Sequence, residues 1–377
     1  MAKKVEKMKK LFTIILTNYN NEKYIYEAID SILKQSYDNI ELIITDDCSK
    51  NFNKGLIEKY ILNNKKNDLK VKFLVNNHNI GTVKTLNKAL KMAQGEYVLF
   101  FASDDKLADK NIIYDYAKKL KKNNIVTSQW IICDNNLKLK KRYVKAFKNL
   151  ILNFFPQKRL YNMCLSNQFG SGSTAYKLSV LKKFNYLDNN YLYLEDWPLW
   201  LRMLSNGEKI IFINKMGLYH RSGGISTDES NNYFYKKFCN EMILTFKNEV
   251  LKIYENFNAL EKYKILRSYK FHLENYKNIV NNEMDWNLYL SKMNERKILM
   301  YFYYIDQLTP KILNKITILF KYNKIVPITF IINLMLSLLF NYFFNEKLIR
   351  TLFEFILGYI IIYYFLSVFK SLKKRRK

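Results

Sequence analysis

Cysteine is scarce in this 377-residue chain: Cys48, Cys133, Cys164 and Cys239 stand apart, and no two form a CxxC pair. Their scatter argues against a disulfide framework or a cysteine zinc site and fits a reducing compartment. A secretory leader is missing by pattern. The N-terminus MAKKVEKMKK is basic, but the apolar run after it, LFTIIL, is too short for a signal h-region and no small-residue cleavage site follows. That run reads instead as a first buried strand. Acidic residues are few, 33 against 62 Lys and Arg, which leaves a formal net charge of +29. Such an excess invites a nucleic-acid reading. The lysines are spread along the chain among abundant Asn, Ile and Tyr, the pattern of an A/T-rich codon bias, and anionic lipid headgroups are a second outlet for them. Charge alone therefore decides nothing. Hydrophobic residues make up 49%, ample for a packed core, and the length suits one large domain or two.

The first third alternates short β-rich runs with helical patterns. Residues 11–17 (LFTIILT), 41–45 (ELIIT), 71–75 (VKFLV) and 97–101 (YVLFF) read as strands. Residues 24–35 read as a helix with Ile25, Ile29, Ile32 and Leu33 on one face, and 82–93 as another. Apolar strands separated by helices predict an α/β fold with a mostly parallel sheet covered on both faces. In such sheets ligands bind beyond the carboxyl ends of the strands. Polar clusters stand there: Asn18-Tyr19-Asn20, Asp46-Asp47 and Ser103-Asp104-Asp105. A middle section, about 125–226, holds FGSGST (169–174), the acidic pair Glu195-Asp196, and YHRSGGIS (219–226) at the end of an expected strand, 209–219. From 231 to 309 the pattern is charged, aromatic and helical, with neither glycine nor proline. Two apolar stretches, 325–344 and 352–369, precede the terminal KSLKKRRK, and no internal repeat is found.

Adjacent aspartates at a strand end, Asp104-Asp105, suit a hard cation such as Mg²⁺ or Mn²⁺ that completes its shell with substrate phosphates. A helix cap or a solvated turn is the plainer reading of such a pair. His220 is a structural histidine or a nitrogen ligand beside that cation, and Arg221 next to it is suited to a diphosphate. Glu195-Asp196 opens an amphipathic run, DWPLWLRML, where acids favour the first helical turn. A carboxylate there is equally suited to act as a general base on an acceptor hydroxyl. Gly81 in NIGTVKT reads as a turn into a helix, and neither GxGxxG nor a P-loop is present. FGSGST is a flexible turn or an acceptor-side loop.

Taken together, TIILTNYN, ELIITDDCS, NIGTVKTLNKALKMAQGEYVLFFASDD and LEDWPLWLRM resemble glycosyltransferase family 2 in order and spacing, over roughly residues 11 to 226. The resemblance implies the GT-A fold, Rossmann-like with its mostly parallel central sheet, followed here by a helical C-terminal region. It implies that Thr17, Tyr19, Asp47, Asn79 and Asp104 serve the nucleotide, with Asp47 accepting from the base. By the same resemblance Asp105 holds Mn²⁺ or Mg²⁺, His220 and Arg221 serve the metal–diphosphate end, and Asp196 is the catalytic base of an inverting transfer. Glu195 and Trp197 lie on the acceptor side. The chain departs from the family at Thr17, where proline is frequent, at Cys48, where glycine is common, and at Leu86, where many members carry arginine. The QxxRW motif of processive synthases is absent, which favours transfer of a single sugar.

The expected organisation is a catalytic domain over 1–230, a helical extension over 231–324, and two apolar helices with a basic tail over 325–377. A spanning helix needs about 20 mainly apolar residues, and both stretches barely reach that. Asn333, Ser337 and Asn341 form a polar stripe along the first, and Glu354 lies near the start of the second. A membrane hairpin with basic flanks inside the cell, interfacial helices and a soluble oligomerisation module are the three readings. The expected partners are a nucleotide-sugar donor, UDP foremost, a glycan or lipid-linked acceptor, and the cytoplasmic face of a bacterial cytoplasmic membrane, with no nucleic acid. The rivals are a catalytically silent membrane scaffold of the same fold and a sugar-phosphate nucleotidyltransferase. The latter lacks its glycine-rich basic loop here.

Overall fold

The computed structural model describes residues 10–65, 69–142, 146–222 and 232–275. The chain divides into two units, Met1–Phe302 and Tyr303–Lys377, and the second lies wholly outside the described residues. So do both apolar stretches of the expected hairpin. Among the described residues no helix is long and apolar enough to cross a membrane.

Chain order begins β1 (Phe12–Asn18), α1 (Glu22–Leu33), β2 (Ile40–Asp46), α2 (Lys54–Asn64), β3 (Lys70–Val75), α3 (Thr82–Met92) and β4 (Tyr97–Ala102). The four strand bounds fall within a residue of those expected, because each run is β-branched or aromatic and short. β1 and β2 are buried along almost their whole length, as strands covered on both faces must be. The order β3-β2-β1-β4 is parallel throughout.

The second half differs. β5 (Lys106–Leu107) and α4 (Ile112–Leu120) lead into β6 (Ile125–Cys133) and β7 (Leu139–Arg142). Then come α5 (Ala146–Leu152), α6 (Pro156–Leu165), a 3₁₀ turn (Ser171–Ser173), β8 (Thr174–Lys177), α7 (Leu178–Lys183), α8 (Asp196–Ser205) and β9 (Ile210–Arg221). β8 runs antiparallel to both β4 and β6, β7 antiparallel to β6, and β5 antiparallel to β9; only β6 and β9 are parallel. The nine-stranded sheet is thus mixed, which corrects the mostly parallel expectation for this half. The reason is geometric: β8 and β5 have four and two residues, too short to show in the hydrophobic pattern, and each reverses the sheet where it enters. Beyond β9 lie α9 (Asn232–Thr245), a π turn, α10 (Leu251–Ile253) and α11 (Ala259–Asn275), in the same unit as the sheet.

Candidate functional site

The carboxyl ends of β1, β2 and β4 are tied by side chains. Asn18 donates from Nδ2 to Asp46 Oδ1 (2.8 Å) and accepts from Ser103 Oγ (2.7 Å). Asp46 also accepts from the backbone N–H (2.8 Å) and hydroxyl (2.6 Å) of Ser49. Asn18 and Asp46 were missed as individual residues; the signal was polar side chains at the ends of three adjacent strands.

Asp47 builds the adjoining corner. It accepts from Asn76 Nδ2 (2.9 Å), Ile80 N (3.0 Å) and Gly81 N (2.8 Å), so it fixes the turn that opens α3. An ionised carboxylate has about four lone-pair sites, so one remains for a further donor such as a nucleobase N–H. Asn79 is exposed and accepts from Gly81 N at 3.2 Å. Gly81 has φ +86°, and a Cβ there would run into the side chain of Leu192. Only glycine fits both demands. Thr17 donates to the Phe101 carbonyl (3.4 Å), while Tyr19 meets Phe234 of α9 edge-on at 6.5 Å.

The register of β5 on β9, Lys106 opposite Tyr219, brings Asp105 to His220. Asp105 Oδ1 lies 2.8 Å from His220 Nδ1, and Trp130 meets the imidazole edge-on at 5.6 Å. Burial pulls the His220 pKa down, but Asp105 and then Asp104 outweigh it and hold it at about 9. Asp104, which accepts from Asn21 at 3.4 Å, is pushed up to about 6 by burial and by the Asp105 charge. Among the described residues no group of three or more His, Cys, Asp and Glu is arranged to hold a metal. The protein would thus offer a divalent cation Asp105 and His220. Carboxylate and imidazole are acceptable to Mn²⁺, and such ions commonly take one or two protein ligands with phosphates and water completing the shell. The donor set fits.

Arg221 does not stand where a diphosphate-binding arginine was expected. It is 2% exposed, and its three nitrogens are engaged: Nε with Asn135 O (3.2 Å), Nη1 with Asp104 O (2.6 Å) and Nη2 with Glu27. Tyr24 covers the guanidinium at 4.4 Å. Arg221 thus holds the Asp104 backbone in position from behind.

The sequence model described as glycosyl transferase family 2 matches residues 13–183. Over those residues the chain carries a domain of the glycosyltransferase family 2 type, and its relatives support a transferase. An Escherichia coli relative, UDP-Glc:alpha-D-GlcNAc-diphosphoundecaprenol beta-1,3-glucosyltransferase WfgD, is 29% identical over 52% of this chain and 70% of its own. The poly(ribitol-phosphate) beta-N-acetylglucosaminyltransferase TarS of Staphylococcus aureus is 45% identical over 25% of this chain and 16% of its own. The crystal structure of S. aureus TarS 1–349 in complex with UDP superposes with a TM-score of 0.51 at 21% identity, covering 75% of this chain and 79% of that one. At that identity the likeness concerns the fold, which is GT-A-like.

The remaining corner of the glycosyltransferase is acidic and enclosed. Asp196 opens α8, is buried, and takes Asn167 Nδ2 (3.1 Å) and Trp197 N (2.5 Å), both on Oδ1. Burial raises its pKa, while those two hydrogen bonds limit the rise. Burial and the neighbouring Asp196 raise Glu195 as well. Trp197, expected on the acceptor side, is a core side chain: it is fully buried, with its indole N–H on Met163 O at 2.8 Å. The FGSGST segment lies between the two acidic centres, since a Cβ on Gly172 would sit 3.4 Å from Asp105 Oδ2 while Ser171 is close enough to Glu195 to moderate its shift.

Sequence reasoning missed Glu241. From α9 it accepts the backbone N–H groups of Leu192 (2.6 Å), Tyr193 (3.0 Å) and Leu194 (2.8 Å), the residues that lead into Glu195-Asp196. Leu192 in turn accepts from Val83 N at 3.1 Å, so one loop joins the Gly81 corner to the acidic pair. Nothing local in the sequence signals a glutamate that far along the chain.

Proposed function

We propose that this glycosyltransferase moves a single sugar from a UDP-linked donor to an acceptor hydroxyl with inversion, and that Asp196 is the general base. The observation that carries the reading is the state of Asp196: a buried carboxylate whose Oδ1 takes both Asn167 and Trp197, with its pKa raised by burial. A base is most effective when its pKa lies near the working pH, and such a group contributes roughly 100- to 10,000-fold. Oδ2 would take the acceptor proton as the hydroxyl attacks the anomeric carbon from the side opposite the departing nucleotide diphosphate. Asp47 would accept from the base, with Thr17, Tyr19, Asn79 and Asp104 around the nucleoside. Asp105 and His220 would hold Mn²⁺ or Mg²⁺, which when bound supplies positive charge to the leaving diphosphate. Arg221 would act on that end through the Asp104 backbone.

The names of relatives support a UDP donor and an acceptor carried on a polyprenyl diphosphate, in cell-surface polysaccharide synthesis. A lipid-borne acceptor would put the enzyme at the cytoplasmic face of a bacterial cytoplasmic membrane, with the stretches at 325–344 and 352–369 as anchors.

Asp196→Asn tests the assignment. It keeps the shape and removes the basicity, so kcat should fall about 100-fold or more while UDP binding stays within about twofold. A variant keeping over about a tenth of wild-type turnover would remove Asp196 from the role. The acidic limb of the wild-type rate profile should lie above the ordinary carboxylate range, because burial raises the Asp196 pKa.

A further inference from the structure

We propose that the corner between α5 and α6 is a membrane-docking surface that inserts into the headgroup region of an anionic bilayer. Leu152, Leu160, Met163 and Cys164 pack inward, yet the corner also keeps large apolar side chains outside while burying polar ones. Its buried positions include Asn149 and Arg159, whereas Phe147 and Phe154 are 79% and 81% exposed and Leu150, Ile151 and Phe155 are exposed beside them. Large apolar side chains gathered on a surface mark an interaction site rather than ordinary scatter.

The inversion is built in. Arg159 donates to Asn149 Oδ1 (3.2 Å), Asn149 O (2.8 Å) and Asn153 Oδ1 (2.9 Å), and its guanidinium covers Phe169 at 5.4 Å. Asn153 then exchanges hydrogen bonds with the Phe212 backbone on β9, both at 2.8 Å. A buried polar network thus fastens this corner to the sheet edge and leaves the phenylalanines outward. Folding the apolar side chains inward would break every one of those bonds.

Charge selects the occupant. Between Asp134 and Asp188 the sequence contains no acidic residue, and it carries Lys138, Lys140, Lys141, Arg142, Lys145 and Lys148 just before the aromatics. Glu261 of α11 pairs with Lys158 at 2.7 Å and so offsets one charge of the corner. Basic residues next to Phe and Leu in the sequence, Lys138 and Lys148 among them exposed, are the composition of an interfacial element, with each Lys or Arg near an anionic surface adding attraction. A second copy of a chain with net charge +29 would bring like charge to the same place.

The position also suits the chemistry. α6 starts at Pro156 in this corner, receives the Trp197 indole at Met163, and ends two residues before Asn167, which holds Asp196. Its ten residues span about 15 Å. A sugar on a lipid carrier would then stand within reach of the base; this benefit alone rests on the acceptor proposed above.

The test uses the full chain with Cys48→Ser, which removes the exposed thiol and leaves Cys133, Cys164 and Cys239 buried. Phe154→Cys on that background is labelled with a polarity-sensitive fluorophore. Phosphatidylglycerol-containing vesicles should shift its emission to the blue, phosphatidylcholine vesicles less, and salt should weaken the effect. Three outcomes would overturn the docking. One is no shift while the protein sediments with the vesicles, another a concentration-dependent shift without vesicles (a second copy), and the third a shift with a soluble polyphosphate polymer alone. In a second arm, Phe147→Ser/Phe154→Ser/Phe155→Ser should lower kcat/KM for a lipid-anchored acceptor in such vesicles roughly tenfold or more, leaving a short soluble acceptor unaffected. If the label inserts but both acceptors respond alike, the docking stands and the lipid-borne acceptor fails.

Discussion

Asp105 is the residue on which the metal reading turns, because it joins two strands that are distant in sequence. Its Oδ1 takes the Arg221 backbone N–H at 3.3 Å as well as facing His220, so the carboxylate is held before any ligand arrives. Calorimetry with UDP and Mn²⁺ should show Asp105→Ala weakening metal-dependent binding about tenfold or more, and His220→Ala less, because a carboxylate is the better ligand for a hard cation. Unchanged affinity in the aspartate variant would sink the metal assignment; unchanged affinity in the histidine variant would demote His220 alone. At this scale the positions were legible rather than the roles: Asp47 follows β2, Asp105 lies between β4 and β5, and Asp196 opens α8, each beside an apolar run that the sequence shows. Arg221 and Trp197 were misread because sequence gives adjacency but not direction: both lie next to a candidate site residue and point into the protein. Cys48 shows the converse. Its φ of +68° gives the physical reason that glycine is common there in the family.

Among the elements, α9 belongs to the site rather than to an appendage. Glu241 satisfies three successive backbone N–H groups of the loop that carries Asp196, and Phe234 meets both Tyr19 and Tyr193 edge-on. Glu241→Ala should therefore cost about 2–4 kcal/mol by leaving those N–H groups without their partner. It should also lower kcat roughly tenfold at temperatures where the variant stays folded, since small displacements of a base are costly. Glu241→Gln, which keeps an acceptor, should recover part of both. Equal kcat in all three proteins would mean that the clamp is structural only, read by urea midpoints beside turnover. The parallel half of the sheet could be read from its apolar runs, but α9 could not. Its role rests on one carboxylate meeting a loop far back in the chain, and amphipathic periodicity records which face is buried, not what it touches.

Across the whole molecule, the acidic corner and the helices behind it respond to pH in opposite directions. Glu195 and Asp196 have folded-state pKa values raised by burial, so the stability they withhold near neutrality returns as pH falls through those values. His272 on α11 does the reverse. It is buried against Trp197 and Phe246, and burial depresses its pKa from 6.5 to about 4. Between those two values the unfolded chain takes up a proton that the folded chain refuses. The contribution of His272 falls as pH drops from about 6.5, by about 3 kcal/mol once pH is below about 4. Because Trp197 follows the proposed base directly, acid loosening here would disturb α8 at the end that presents Asp196. Between pH 7 and pH 4.5 the urea midpoint of His272→Leu should change more favourably than that of the wild type, whatever the variant's absolute stability. Equal slopes would remove His272 as the source. Glu195→Gln should change less favourably than the wild type over the same interval, because it deletes a group that gains stability on protonation.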